Sequence, residues 1–135
     1  HARTTAWIAY SHQVARITAP DPSAPATLGK EIENVPHYLV SAGVDWQATD
    51  RLKLSAWGNA QGDYYLERTN TQGRAGKFAV LNLGASYRLS DTMDLGLQVK
   101  NVTNRKYVYA WYDSGSSGYS PADGRGVYAS MYLRF

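Results

Sequence analysis

Gly126-Val127-Tyr128-Ala129-Ser130-Met131-Tyr132-Leu133-Arg134-Phe135 alternates apolar and polar side chains without a break and stops on an aromatic. Side chains along a strand point to opposite faces in turn. Val127, Ala129, Met131, Leu133 and Phe135 therefore share one face, and Tyr128, Ser130, Tyr132 and Arg134 the other. One face suits lipid and the other water, which is the pattern of a transmembrane β-strand. The last strand of a soluble sandwich alternates in the same way, so the choice falls to the rest of the chain.

Working back from that stretch, period-2 segments bounded by turn residues predict six strands. They run from about Arg3 to Thr18 with an irregular second half, Val35 to Trp46, Arg51 to Tyr65, Phe78 to Leu89, from Met93 onward, and Gly126 to Phe135. Pro20, Pro22 and Pro25 interrupt the first connection, because clustered prolines cannot pair in a ladder. Gln47 to Asp50 and Ser90 to Thr92 read as short turns. The segment Glu67 to Lys77 reads as a polar connection with almost nothing to bury, and a stretch rich in Tyr, Ser and Gly leads to the last strand. Connections thus alternate long, short, long, short, long. Outer-membrane barrels sort their connections in this way, with short periplasmic turns and long extracellular loops. Trp46, Tyr87 and Phe135 fall at strand ends beside the short turns or the terminus, where an interfacial aromatic girdle sits. No segment keeps apolar residues at the helical 3.6 spacing.

Composition points the same way. Eleven tyrosines, four tryptophans and twelve glycines stand against two phenylalanines, a set dominated by aromatics with a polar handle, which favour interfaces between apolar and wet surroundings. No apolar run approaches the roughly 20 residues of a spanning helix, so a membrane role has to come from strands. The absence of cysteine removes disulfides and thiolate metal sites. A net charge of +3 with interspersed signs gives no patch for nucleic acid. His1, His12 and His37 are isolated, with no second ligand at metal spacing. Nucleophile elbow, paired acids and phosphate-cradling glycine loop are all lacking, which speaks against an enzyme, and the sequence calls for no cofactor. The chain opens on His1 without a methionine or signal peptide and reads as a piece of something longer.

Six strands cannot close a membrane barrel, because an open edge in lipid leaves backbone groups unpaired and the smallest single-chain barrels have eight strands. Three motifs give this incompleteness a family context. Asn34-Val35-Pro36-His37 precedes a late strand. Asn101-Val102-Thr103-Asn104 with Tyr107 follows the penultimate one. Gly124-Arg125-Gly126 leads into the alternation that ends on Phe135. Together they resemble the C-terminal barrel segment of a TonB-dependent outer-membrane receptor of the siderophore-receptor kind. The likeness covers nearly the whole chain and is strongest from Asn82 onward. It departs from the pattern at Gly124, where the family often has proline, the nearest here being Pro121. The plug, the TonB box and most of the strands have no counterpart in this sequence.

The resemblance implies an all-β, antiparallel transmembrane β-barrel, with residues 1–135 supplying the last six strands of a 22-stranded barrel domain in the bacterial outer membrane. It implies uptake of a ferric siderophore or similar chelate, with the receptor's own plug domain, the TonB–ExbB–ExbD complex and outer-membrane lipid as partners. Phe135 becomes the terminal aromatic signal for barrel assembly, and Arg125 positions the last strand. Tyr107, Tyr109, Trp111, Tyr112 and Tyr119, set among Ser and Gly, become the candidate substrate-contacting surface, in which rigid aromatics supply area and small residues supply hydrogen bonds. Girdle and strand extension above the membrane is the structural reading of the same five residues. Asn101 to Asn104 reads as a strand end with Asx-type backbone bonding. Two other classes share the alternation: an oligomeric outer-membrane adhesin or translocator, and a soluble β-sandwich carbohydrate-binding module.

Overall fold

The computed structural model describes residues 3–135; His1 lies outside them. Strands β1 (Thr4–His12), β2 (Tyr38–Gln47), β3 (Leu52–Gln61), β4 (Tyr64–Tyr65), β5 (Arg74–Ala75), β6 (Phe78–Ser90), β7 (Met93–Lys100), β8 (Val108–Asp113), β9 (Ser116–Pro121) and β10 (Gly126–Leu133) follow in order, with one 3-10 turn at Pro25–Thr27. Six of them form one antiparallel sheet in the order β1-β2-β3-β6-β7-β10. These match the six predicted strands, with shorter ends. The first stops at His12 rather than Thr18 and the third at Gln61 rather than Tyr65. The last stops at Leu133, although the Arg134 N–H still donates to the Thr92 carbonyl. Gln47 remains in its strand, and the turn is Ala48 to Arg51, where the Thr49 hydroxyl accepts from the Arg51 and Leu52 amides at 3.2 and 3.0 Å.

Register makes the two faces uniform across the whole sheet. One row runs Ala6, Val44, Ala56, Leu83, Val99, Val127, apolar at every strand. The adjacent row runs Thr5, Asp45, Ser55, Gly84, Gln98, Tyr128. A one-residue slip anywhere would exchange the faces, so the shared alternation itself fixes the pairing. The apolar face has nothing over it: Ile8 is 75 % exposed, Val127 66 % and Leu97 48 %. Tyr64, in a connection, is the one buried apolar residue among those described. A sheet with no packed interior and one continuous apolar face belongs against lipid, since a soluble domain rarely exposes so large a contiguous patch. The polar face carries paired groups instead. The Ser55 hydroxyl donates to Asp45, Lys53 lies 3.2 Å from the same carboxylate, Ser41 donates to Asn59 at 2.8 Å, and Asp94 takes both Arg134 and Arg88. β1 and β10 each use one edge only, so the sheet is an open arc of a barrel wall.

Connections sort by length as the pattern predicts. Turns 48–51 and 91–92 lie at one end of the sheet, and the three long connections, 13–37, 62–77 and 101–125, lie at the other. β6 and β7 shift register between Arg88 and Ser90, a bulge beside the tightest turn.

Candidate ligand-binding loops

Long connections without a hydrophobic core hold their shape here through satisfied polar groups. In the first, Arg16 pairs with Glu31 as an isolated bridge, and the Ile17 and Ile32 amides donate to Lys30 and Ala15. In the second, the Glu67 carboxylate gathers the amides of Thr69, Thr71 and Gln72 together with the Thr69 hydroxyl. Burial pushes the Glu67 carboxyl up, but these donors outweigh it and hold it at about 2. The polar connection predicted over Glu67 to Lys77 thus contains a turn built around the Glu67 carboxylate.

The connections also bond to one another. Asn70, in the left-handed region at φ 59°, accepts from the Glu31 amide at 2.8 Å and donates to the Glu31 carbonyl at 2.9 Å, imitating a strand partner. Arg68 holds Glu33 at 2.7 Å, and the Asn34 amide donates to Tyr65. His37, isolated in sequence, lies between Glu31 and Arg74. A guanidinium can only donate, so His37 Nδ1 accepts from Arg74 at 3.0 Å and its Nε2–H donates to Glu31 at 2.6 Å. The bond to His37, against the effect of burial, lowers the Glu31 carboxyl below its usual range, helped by the charges of Arg16 and Arg74. Arg74 also reaches Asp63 at 3.1 Å.

The third connection contains the aromatic set. Val108–Asp113 and Ser116–Pro121 pair as a hairpin closed by Ser114 and Gly115, both at positive φ (49° and 86°), the two-residue turn that matches strand twist. This hairpin, unrecognised from sequence, divides the five candidates. Tyr107, Tyr109 and Trp111 fall on one side. Tyr112 and Tyr119 fall on the other, Tyr119 being 70 % exposed. Tyr107 stacks on Phe78 with centroids 4.2 Å apart, and Tyr109 meets both rings edge-on. Phe78 belongs to the polar face of the sheet, so this cluster looks toward the lumen side. Burial raises the Tyr107 phenol, as does its hydrogen bond with Tyr109. Tyr64 ties the hairpin to the second connection: its hydroxyl donates to the Ala110 carbonyl at 3.0 Å and accepts from the Ala110 amide at 3.2 Å. Gly76 makes room for the Tyr64 ring, since a Cβ there would come within 1.9 Å of it.

Asn101 anchors the base of the hairpin. It is buried, in the left-handed region at φ 49°, and its amide donates to Asn82 Oδ1 at 2.9 Å. Its side chain bonds the Arg105 amide and carbonyl at 2.8 and 2.9 Å and the Asp123 carbonyl at 3.3 Å. Asn104, at φ 51°, accepts from the Arg125 amide at 3.0 Å. The Asx-type reading of this motif describes what it does, and Arg125 is positioned through its backbone at the start of the last strand. Phe78, Tyr64 and Asn82 were not singled out from sequence. Phe78 opens a predicted strand directly after the polar Glu67 to Lys77 connection, and nothing local marks it. Among the described residues no group of three or more His, Asp or Glu side chains is placed to hold a metal.

An open antiparallel arc with one lipid face, one polar face and long connections gathered at one end is the wall of a large outer-membrane barrel. The family model for the TonB dependent receptor-like β-barrel matches residues 3–102, and the chain belongs to that family. It is 30 % identical over 123 residues to the ferric enterobactin receptor of Pseudomonas aeruginosa, covering 79 % of this chain and 16 % of that protein. It is 27 % identical over 114 residues to the iron-regulated outer membrane virulence protein of Vibrio cholerae, with the same coverage. The chain thus spans about one sixth of the length of these curated relatives. Among solved structures, the unliganded ferric citrate transporter FecA superposes with a TM-score of 0.85 at 19 % identity, over 98 % of this chain and 21 % of that one. The ferric-catecholate import receptor Fiu of E. coli K12 superposes at 0.82 and 19 % identity, over 100 % and 19 %. At such identities the likeness is one of fold. The chain is an outer-membrane β-barrel segment of a family of receptors and transporters, and the soluble-sandwich alternative does not describe it.

Proposed function

We propose that residues 1–135 form the last six strands of a 22-stranded receptor barrel that imports an iron chelate of the ferric siderophore class. In this reading the receptor's plug fills the lumen beside the polar face, and the TonB–ExbB–ExbD complex supplies the energy through a coupling segment elsewhere in the receptor. Phe135 serves barrel assembly. The observation that carries the substrate class is the cluster of Phe78, Tyr107 and Tyr109 with Trp111 beyond it, an aromatic surface on the lumen side of the long-connection end. Aromatic rings recognise flat, delocalised ligands by stacking, as a catecholate chelate offers. Tyr112 and Tyr119, on the opposite side of the hairpin, lie outside this surface.

Uptake of radiolabelled ferric enterobactin by iron-limited cells that express the full-length receptor as their sole route tests this. Tyr109→Ala and Trp111→Ala each weaken half-saturation about fivefold, for roughly 1 kcal/mol of aromatic contact, whereas Tyr119→Ala leaves it unchanged. Uptake of neither ferric enterobactin nor ferric citrate would end the reading. Sensitivity at Tyr119 alone would move the contact surface to the other side of the hairpin.

A further inference from the structure

The first and second long connections are tied together by polar contacts of different kinds. The Asn70 side chain bonds the Glu31 backbone, Arg68 holds Glu33, the Asn34 amide donates to Tyr65, and Arg74 reaches across to His37. Of these ties only the last contains an imidazole, the side chain whose unperturbed titration falls between about pH 5 and 8. The charges around the ring alternate in sign along a line. On the first connection Arg16 lies 3.3 Å from Glu31, and Glu31 lies 2.6 Å from His37 Nε2. On the second, Arg74 lies 3.1 Å from Asp63, with its guanidinium 4.8 Å from the centre of the Tyr65 ring.

One Arg74 nitrogen is 3.0 Å from His37 Nδ1 and 3.3 Å from Nε2. A guanidinium only donates and keeps its charge, so this contact requires a neutral ring with a free lone pair. Protonation sets N–H against N–H and brings two positive charges into contact. The two partners of His37 then respond in opposite ways. The bond to Glu31 becomes a charge-assisted pair inside the first connection, while Arg74 is repelled and has Asp63 and the Tyr65 ring within reach on its own connection. The neighbouring carboxylates do not follow the imidazole. Glu31 is held below its usual range, chiefly by its bond with His37, and Glu67 is held at about 2, so both stay ionised while the ring titrates.

We infer that His37 is an acid-released latch between the first and second connections: neutral, it bridges Glu31 to Arg74, and protonated, it sends Arg74 back to Asp63. Asn70 and Arg68 keep their contacts, so acid loosens the two connections against each other without separating them. His37 directly precedes β2, so the loosening is felt where the first connection joins the sheet.

Hydrogen–deuterium exchange of the full-length receptor in detergent, compared at about pH 7.5 and about pH 5.5 and corrected at each for the intrinsic amide rate, tests the latch. The peptides to follow are those containing Asn34 and Arg74. Their protection in the wild type is expected to fall about fivefold on acidification, the worth of one exposed charged contact. His37→Gln offers an acceptor to Arg74 and a donor to Glu31 but takes up no proton, so its protection stays at the neutral wild-type level in both conditions. His37→Ala is less protected in both, by the same factor. A peptide from β3 reports any effect of acid on the sheet itself and is expected to stay unchanged. Wild-type protection that is equal in the two conditions, a fall of the same size in His37→Gln, or a fall of the same size in β3 overturns the proposal.

Discussion

Replacing Asn101 removes the joint between the penultimate strand and the aromatic hairpin, and the cost can be worked from its bonds. Asn101→Gly deletes two good hydrogen bonds to Arg105 and a longer one to Asp123 in a buried place while keeping the left-handed backbone comfortable. Two buried bonds at about 1 kcal/mol each give roughly 2 kcal/mol of local stability. Asn101→Ala loses the same bonds and adds about 1 kcal/mol for a Cβ residue without a local side-chain bond at positive φ. Hydrogen–deuterium exchange of the full-length receptor in detergent reads this locally, in the peptide containing Arg105. If opening limits exchange, it accelerates about thirtyfold in Asn101→Gly and a further fivefold in Asn101→Ala. The peptide covering β1 serves as an internal reference and stays unchanged. Equal rates in the two variants would refute the backbone part of the argument, and less than threefold acceleration in either would refute the hydrogen-bond part.

Tyr64→Phe keeps the ring that fills the space beside Gly76 and removes only the two bonds to Ala110, so limited proteolysis within 108–121 rises severalfold while barrel assembly is unaffected. Gly76→Ala places a Cβ against that ring at positive φ and disturbs the second and third connections together, visible as faster exchange in both. Glu67 has a carboxyl lowered from 4.5 to about 2, so its contribution is present above pH 4.5 and lost as pH falls toward 2. Protection of residues 66–75, judged by the exchange rate relative to the intrinsic amide rate at each pH, should fall through that window in the wild type. It should be low already at pH 6 in Glu67→Ala, a loss of about 1–2 kcal/mol once solvent screening is allowed for.

The six wall strands were legible because a period of two is a local property, and the register that joins them follows from keeping every apolar residue on one side. Ala6 to Val127 line up across the sheet for that reason alone. The connections were not legible, because what orders them is remote in sequence. Asn70 reaches Glu31 across 39 residues, and Tyr64 reaches Ala110 across 46. Judging Glu67 to Lys77 by what it could bury missed that its polar groups satisfy one another. The aromatic set was found as a composition but not as a geometry. The turn at Ser114-Gly115 puts Tyr107, Tyr109 and Trp111 on one side and Tyr112 and Tyr119 on the other, and Ser-Gly is a weaker hairpin signal than Asn-Gly. Asn101 was read correctly as a strand end, since Asn tolerates the left-handed region and bonds its own backbone neighbours.

The division of the sheet into a lipid face and a lumen face is the claim on which everything else stands, and β7 tests it most directly. Single nitroxide labels at Leu95, Gly96, Leu97, Gln98 and Val99, in an otherwise cysteine-free full-length receptor reconstituted in bilayers, report collision with oxygen, which partitions into lipid. The account predicts high oxygen accessibility at Leu95, Leu97 and Val99 and low accessibility at Gly96 and Gln98. Uniform accessibility along the five positions, or the opposite alternation, would contradict it.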